Sequence, residues 1–204
     1  MKQNIYLRYL DLPKLNDSVK AEIQTVADCV AVDYSAIQWL EQFHDHTLKA
    51  ASQVYARNDA VLPIKLQEKI VAQYQQYFKS KVVPIIGVIE NAYDAETAQS
   101  PPHCDRLRQT AINYIINTGG NNVLTCFYHN SRRHHGLDQA ENDQAKNLNL
   151  DFKLRLTEEV WHSYNVQKYH SVENIQTKRI VLSLYLENNL TFDQFNQEYQ
   201  HLFV

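Results

Sequence analysis

The sequence predicts a mainly β protein with N-terminal helices, an α+β sandwich or jelly roll supported by those helices. Three observations carry this. Apolar residues recur at helical spacing between residues 17 and 80. From residue 81 the texture changes to short β-rich runs punctuated by turn signals, and an amphipathic segment closes the chain. The expected organisation is one domain over residues 1–204, divided into a mainly helical part at 1–80, a β core at 81–190 and a C-terminal helix at 191–204. A chain of 204 residues suffices for one domain with a sizeable core.

Residues 5–10 read as a short strand ahead of the helices. Ile37, Leu40, Phe43, Thr47 and Leu48 then share a helix face, with Asp33 or Ser35 as cap. Leu66, Ile70, Tyr74 and Tyr77 do so again, and Pro63 stands where helices commonly begin. In the second half, residues 82–90 and 111–116 are apolar and β-rich. Asn117-Thr-Gly-Gly120 is a strong turn signal, so residues 122–128 read as the return strand of a hairpin. Residues 131–150 form a long polar excursion. Strand character resumes at 152–156, 160–164 and 179–186, and a helix is expected over 191–201, with Phe192, Phe195 and Tyr199 on one side. The chain shows no internal repeat and no low-complexity tract.

Composition excludes several classes. Hydrophobic residues make up 44% and charged residues 21%, ordinary globular usage. A net charge of −3 and a pI near 6.3 make a nucleic-acid partner unexpected. No apolar run approaches the roughly 18 residues of a membrane span, so no membrane partner is expected. Charges at positions 2, 8, 11 and 14 interrupt the N-terminus, unlike a signal peptide. Cys29, Cys104 and Cys126 are odd in number and lack CxxC spacing, which argues against disulfides and thiolate zinc. A cytoplasmic protein with reduced thiols is expected.

The segment that carries chemistry is Pro101-Pro-His-Cys-Asp105. In an extended chain, residues i and i+2 point to one face, so His103 and Asp105 project together and Cys104 faces away. A third ligand is offered by His170 in Tyr169-His-Ser-Val-Glu-Asn174. Two imidazoles and one carboxylate leave about three positions open on an octahedral ion, the arrangement associated with non-haem Fe(II) oxygenases. A bidentate cosubstrate can take two of these and O₂ the third. Nine residues after His170, Arg179 opens a strand and presents a planar fork suited to a carboxylate. A dicarboxylate chelating iron at one end would be clamped at the other, and 2-oxoglutarate has that shape.

With these residues in place, the stretches HCDRLRQTAINYIINTGGNNVLTCFY and VWHSYNVQKYHSVENIQTKRIVLSLYL resemble the Fe(II)/2-oxoglutarate-dependent oxygenase superfamily, over roughly residues 82–188. The family's HxD…H triad corresponds to His103, Asp105 and His170, and its cosubstrate arginine to Arg179. The resemblance implies a double-stranded β-helix, or cupin-like jelly roll, and oxidative decarboxylation of 2-oxoglutarate to succinate. Hydroxylation of an amino acid, peptide side chain or small metabolite would be the usual outcome. The similarity is to small bacterial and phage-type members and to proline or aspartyl/asparaginyl hydroxylase-like proteins. Many members carry Arg-x-Ser on the strand after the distal histidine; here position 181 is Val and the serine stands at 183. Asn113, Tyr114 and Asn117 are candidates, by position, for hydrogen-bonding the cosubstrate or orienting a ligand.

Other residues admit plainer readings. Arg106 and Arg108 face either the mouth of the site or solvent. His129, His134 and His135, with Arg132 and Arg133, lack metal-ligand spacing and read as a solvated or substrate-facing loop. His162 reads as structural or as a neighbour of the metal ligands; His44 and His46 as exposed; Trp39 and Trp161 as core. Two alternatives share the expected fold: a cupin-like metalloprotein or isomerase that does not use 2-oxoglutarate, and a binding module without catalysis.

Overall fold

The computed structural model describes residues 3–29, 56–60, 62–90, 98–105, 108–131 and 148–204. A short helix α1 (Gln3–Tyr6) runs into β1 (Leu7–Leu10), followed by α2 (Asp17–Cys29), β2 (Ala56–Ala60) and α3 (Ile64–Tyr74). Then come β3 (Val82–Glu90), β4 (Ala98–His103), β5 (Thr110–Asn117), β6 (Leu124–Ser131) and β7 (Leu150–Leu154). The chain finishes with β8 (Trp161–Asn165), β9 (Lys168–Ile175), β10 (Arg179–Leu186) and α4 (Phe192–Glu198).

Among the described residues the strands form two antiparallel sheets, ordered β1-β8-β5-β10-β3-β2 and β4-β9-β6-β7. From β3 onward the chain crosses repeatedly from one sheet to the other, with β6 and β7 the one pair of successive strands kept in the smaller sheet. This is the double-stranded β-helix expected from the sequence.

The central strands of the larger sheet, β5 and β10, are largely buried on both faces. Ile180, Leu182 and Leu184 of β10, with Ile112, Tyr114 and Ile116 of β5, meet the helices on the outer side. There α2 contributes Val19, Ile23 and Ala27, and α3 contributes Leu66, Ile70 and Tyr74, spaced by four so that one helical stripe is covered. Pro63 precedes α3 directly, as its fixed φ suits. Trp161 sits in this layer between Tyr74 and Tyr114, at 4.8 and 5.0 Å between ring centres, and donates its indole N–H to the Pro13 carbonyl. Between the sheets, Tyr6, Leu7, Ile115, Phe127 and Leu156 form a second core. The C-terminal tail bridges Leu10 to Phe203 beside β1 and so covers that sheet edge.

Three expectations are corrected. Residues 111–116 and 122–128 are not a hairpin: β5 pairs with β10 and β8, whereas β6 pairs with β9 and β7. The glycine turn is real, with Gly119 and Gly120 at φ +85° and +138°, but it carries the chain between sheets. β5 is buried on both faces, which suits a central strand between two layers. Second, residues 56–60, expected within a helical stretch, pair with β3 as a strand. Ala-Arg-Asn-Asp-Ala has no β-branched or aromatic residue, so the open edge of β3 decides its conformation. Third, a further strand, β9, lies between the expected strands at 160–164 and 179–186 and carries His170. The C-terminal helix is also shorter than expected; it starts at a Thr191–Gln194 capping box and ends in a 3₁₀ turn, Gln200–Leu202. The expected helix around residues 37–48, its caps, Trp39, His44, His46, Arg106 and most of the 131–150 excursion lie outside the described residues.

Candidate metal centre and its cavity

The smaller sheet brings the two histidines together. His103 ends β4 and is directly opposite His170 of β9, so the rings are cross-strand neighbours with centres 4.4 Å apart. β4 is an edge strand with an irregular register between Ser100 and His103, which is where Pro101 and Pro102, lacking N–H donors, are tolerated. Two residues later the Asp105 N–H donates to the Val166 carbonyl, and Gln167 donates its side-chain amide to the carbonyls of Asp105 and Arg108. This anchors the chain just beyond the strand.

Asp105 Oδ1 lies 3.6 Å from His103 Nε2 and 3.7 Å from His170 Nε2, and one donor atom from each residue falls within 4.8 Å of the others. Neighbouring donors around an octahedral ion with bonds of about 2.1 Å are roughly 3 Å apart, so a small closure suffices. His170 is 3% exposed, and its Nδ1 faces the Lys168 carbonyl at 3.0 Å. That acceptor keeps the proton on Nδ1 and leaves Nε2 as a lone pair toward the other two residues. Burial, and then the nearby His103, push His170 down to about 3, against the pull of Asp105. It is neutral at ordinary pH, as a ligand must be.

Asp105 is ionised. Burial alone would raise its carboxyl, but Arg108, then His170 and His103, outweigh it and hold the group at about 2. Arg108 Nε meets Asp105 Oδ2 at 2.5 Å. Two imidazole nitrogens and one anionic oxygen, preorganised on one side of a cavity, fit a divalent transition metal with open positions.

The larger sheet supplies the opposite wall. Alternation along β10 turns Arg179, Val181 and Ser183 toward the cavity that His103 and His170 also line, a cleft of about 500 Å³ open to solvent. Arg179 is 4% exposed and donates Nη1–H to the Thr118 carbonyl at 3.0 Å. Burial lowers it to about 10, with Tyr164 and Glu158 opposing the shift, so it keeps its charge. The Gly119–Gly120 turn presses on its base: a Cβ on Gly119 would lie 3.0 Å from the Arg179 Cβ and 2.9 Å from the Thr177 carbonyl oxygen. Asn113 donates to the Tyr164 hydroxyl at 3.0 Å and accepts from Ser183 Oγ at 2.6 Å, a polar chain across the cavity floor.

The structure separates the remaining candidates. Asn113 faces the cavity, but Tyr114, the next residue on β5, points the other way into the helix-covered core. One strand cannot turn adjacent side chains to one face, so Tyr114 is corrected from cosubstrate contact to core residue. Asn117 accepts from the Gly119 N–H and shapes the turn. His162 is buried and stacked over Tyr164, whose hydroxyl joins the polar chain, so it backs the cavity wall. Arg108 turns inward, and His129 is exposed. Ser183 and Gln167 were not singled out for the site. For Ser183 the period of two from Arg179 was an available signal; for Gln167 there was none, because it acts through a loop distant in sequence.

Among solved structures, the chain is similar to the epimerase SnoN in complex with Fe³⁺, alpha ketoglutarate and nogalamycin RO. The TM-score is 0.52 at 11% identity, over 91% of this chain and 80% of that one. Weaker likenesses are to the non-heme monooxygenase ThoJ in its nickel complex (TM-score 0.46, 10% identity, 89% and 74% of the two chains) and to a prolyl-4-hydroxylase from Pseudomonas putida (0.39, 10%, 88% and 90%). At these identities the likeness is one of fold. No protein-family model and no curated protein matches the sequence.

Proposed function

We propose that this chain is an Fe(II)- and 2-oxoglutarate-dependent dioxygenase, a hydroxylase of an amino acid, peptide side chain or small metabolite. The observation that carries the reading is the placement of His103, Asp105 and His170 in one cavity with the buried, charged Arg179. The shared fold with an epimerase complexed with Fe³⁺ and alpha ketoglutarate supports it.

In this reading His103, Asp105 and His170 hold the iron. Arg179 binds the distal carboxylate of 2-oxoglutarate, its orientation set by the Thr118 carbonyl and the glycine turn. Asn113 and Ser183 present polar groups along the cosubstrate's path. Val172, Val181 and Ile89 supply apolar wall that limits water around the reacting C–H bond. Bound iron supplies O₂ activation, coupled to decarboxylation of 2-oxoglutarate to succinate and CO₂. The partners are therefore O₂ and an organic substrate. Cys29, Cys104 and Cys126 are odd in number and lack CxxC spacing, which accords with a reducing cytoplasm. No helix among the described residues is long and apolar enough to cross a membrane.

The test is succinate formation from 2-oxoglutarate with Fe(II) and O₂, alongside metal binding. The wild type is expected to bind Fe(II) and to produce succinate slowly even without substrate. Arg179→Ala is expected to keep metal binding while 2-oxoglutarate affinity falls on the order of 100-fold, as when one partner of a buried charge pair is removed. His103→Ala is expected to lose both. A wild-type protein that neither binds Fe(II) nor consumes 2-oxoglutarate sinks the reading; turnover undisturbed by Arg179→Ala sinks the cosubstrate assignment.

A further inference from the structure

We propose that Arg108 is the positioning residue for the carboxylate ligand: it occupies Asp105 Oδ2, so that Asp105 offers the metal a single oxygen, Oδ1. This rests on the metal reading above and goes beyond it by assigning how the carboxylate binds.

The two oxygens of Asp105 face different partners. Oδ1 is the atom nearest His103 Nε2 and His170 Nε2, whereas Oδ2 accepts from Arg108 Nε. Arg108 is held from several sides. It is 5% exposed, its guanidinium lies 4.8 Å over the Tyr185 ring, and its carbonyl accepts from Gln167. The same Gln167 amide binds the Asp105 carbonyl, so backbone and side chain of residues 105 and 108 are fixed relative to each other. An aspartate free to rotate can chelate through both oxygens and fill a position that a bidentate cosubstrate or O₂ needs. With Oδ2 committed to a buried guanidinium, that second bond is disfavoured and three positions stay open. The charge argument agrees. Asp105 is the carboxylate that compensates the buried Arg108, so swinging Oδ2 to the metal would leave the guanidinium without its counter-charge.

The test uses the full chain and Co(II) as a spectroscopic probe, read by its visible ligand-field absorption and by titrated affinity. Arg108→Met is expected to weaken Co(II) binding about 10- to 100-fold, the range for loss of an outer partner of a ligand. It should also change the absorption band as Asp105 becomes bidentate or detaches. Arg108→Lys keeps the charge without the planar fork, and a smaller loss with a spectrum closer to wild type is expected. Wild-type affinity and spectrum in a folded Arg108→Met protein overturn the inference. If Arg108→Met does not fold, the same result in Arg108→Lys overturns it. When wild type binds Co(II), His103→Ala does not, and the Arg108 variants match wild type, this inference alone fails. Absence of Co(II) binding by wild type overturns the metal reading and this inference with it.

Discussion

His162 shows how a single residue's burial becomes a property of the whole protein. Its ring lies 5.7 Å from that of Tyr164 at an interplanar angle of 10°, enclosed by the larger sheet. Burial, and then the Arg179 charge, push it down to about 3, against a weaker opposing pull from the Val160 backbone. A folded-state pKa below the unfolded value means that the unfolded chain takes up the proton first. The contribution to stability is therefore complete above the ordinary histidine value and declines as pH falls toward 3. Between about pH 7 and about pH 5 the loss is about 2 kcal/mol, from an unfolded pKa of about 6.5. We expect His162→Phe, which keeps a ring over Tyr164, to reduce the acid loss by about that amount and to leave the share of the buried His170, as read from urea midpoints at the two pH values. An unchanged slope would assign the acid sensitivity elsewhere. At this scale the sequence already singled out His103 and Asp105 by a local spacing of two, and His170 and Arg179 by their order along the chain. It left Arg106 and Arg108 undecided and put Asn113 and Tyr114 together, because only the packing of β5 says which face meets the cavity.

Among the elements, the turn between β5 and β6 has the clearest consequence for the site. Gly119 accepts backbone hydrogen bonds from Gln176 and Thr177 at 2.7 and 2.8 Å, just ahead of Arg179. Its φ of +85° disfavours any side chain, and an added Cβ would also crowd Ile175, Thr177 and Arg179. Gly119→Ala is expected to cost about 1–3 kcal/mol. It should weaken 2-oxoglutarate binding by shifting Arg179 while leaving metal affinity near wild type, a split read by paired titrations. The Thr191 cap of α4 is the contrasting case. It is half-buried and does not line the cavity, so Thr191→Ala should cost about 1 kcal/mol in thermal or urea unfolding and leave the site's binding unchanged. Both features were visible in the sequence as Asn-Thr-Gly-Gly and as Thr-x-x-Gln. The strands that the glycine turn joins were not, which is why the turn was read as a hairpin when it joins two sheets.

At the scale of the molecule, the site is assembled across the interface of the sheets. The smaller sheet carries His103 and His170, and the larger carries Asn113, Ser183 and Arg179. Phe127 of β6 sits opposite His170 in register, stacks on Tyr6 at 5.2 Å and meets Tyr164 edge-on at 5.8 Å. It thus joins the metal side, the larger sheet and the N-terminal helix. Phe127→Ala is expected to cost about 3–5 kcal/mol and to weaken metal and 2-oxoglutarate binding together, unlike either Arg179→Ala or Gly119→Ala. We also propose that residues 1–204 behave as one domain. β1 and β2 belong to the larger sheet, and α2 and α3 pack on it, so a single calorimetric transition is expected rather than separate melting of an N-terminal part.

By itself, the sequence determined the fold class, most strand positions, the helix start at Pro63, the glycine turn, and the spacing of two between His103 and Asp105. These follow from interactions within a few residues, where backbone sterics and side-chain period leave few choices. Tertiary structure alone decided that β5 pairs with β10 and β8, that residues 56–60 become an edge strand, and that Asn113 rather than Tyr114 faces the cavity. It also decided that Arg108 closes on Asp105. Each of those depends on contacts between segments far apart in the chain, and no local pattern records which partner an exposed sheet edge or a buried charge will meet.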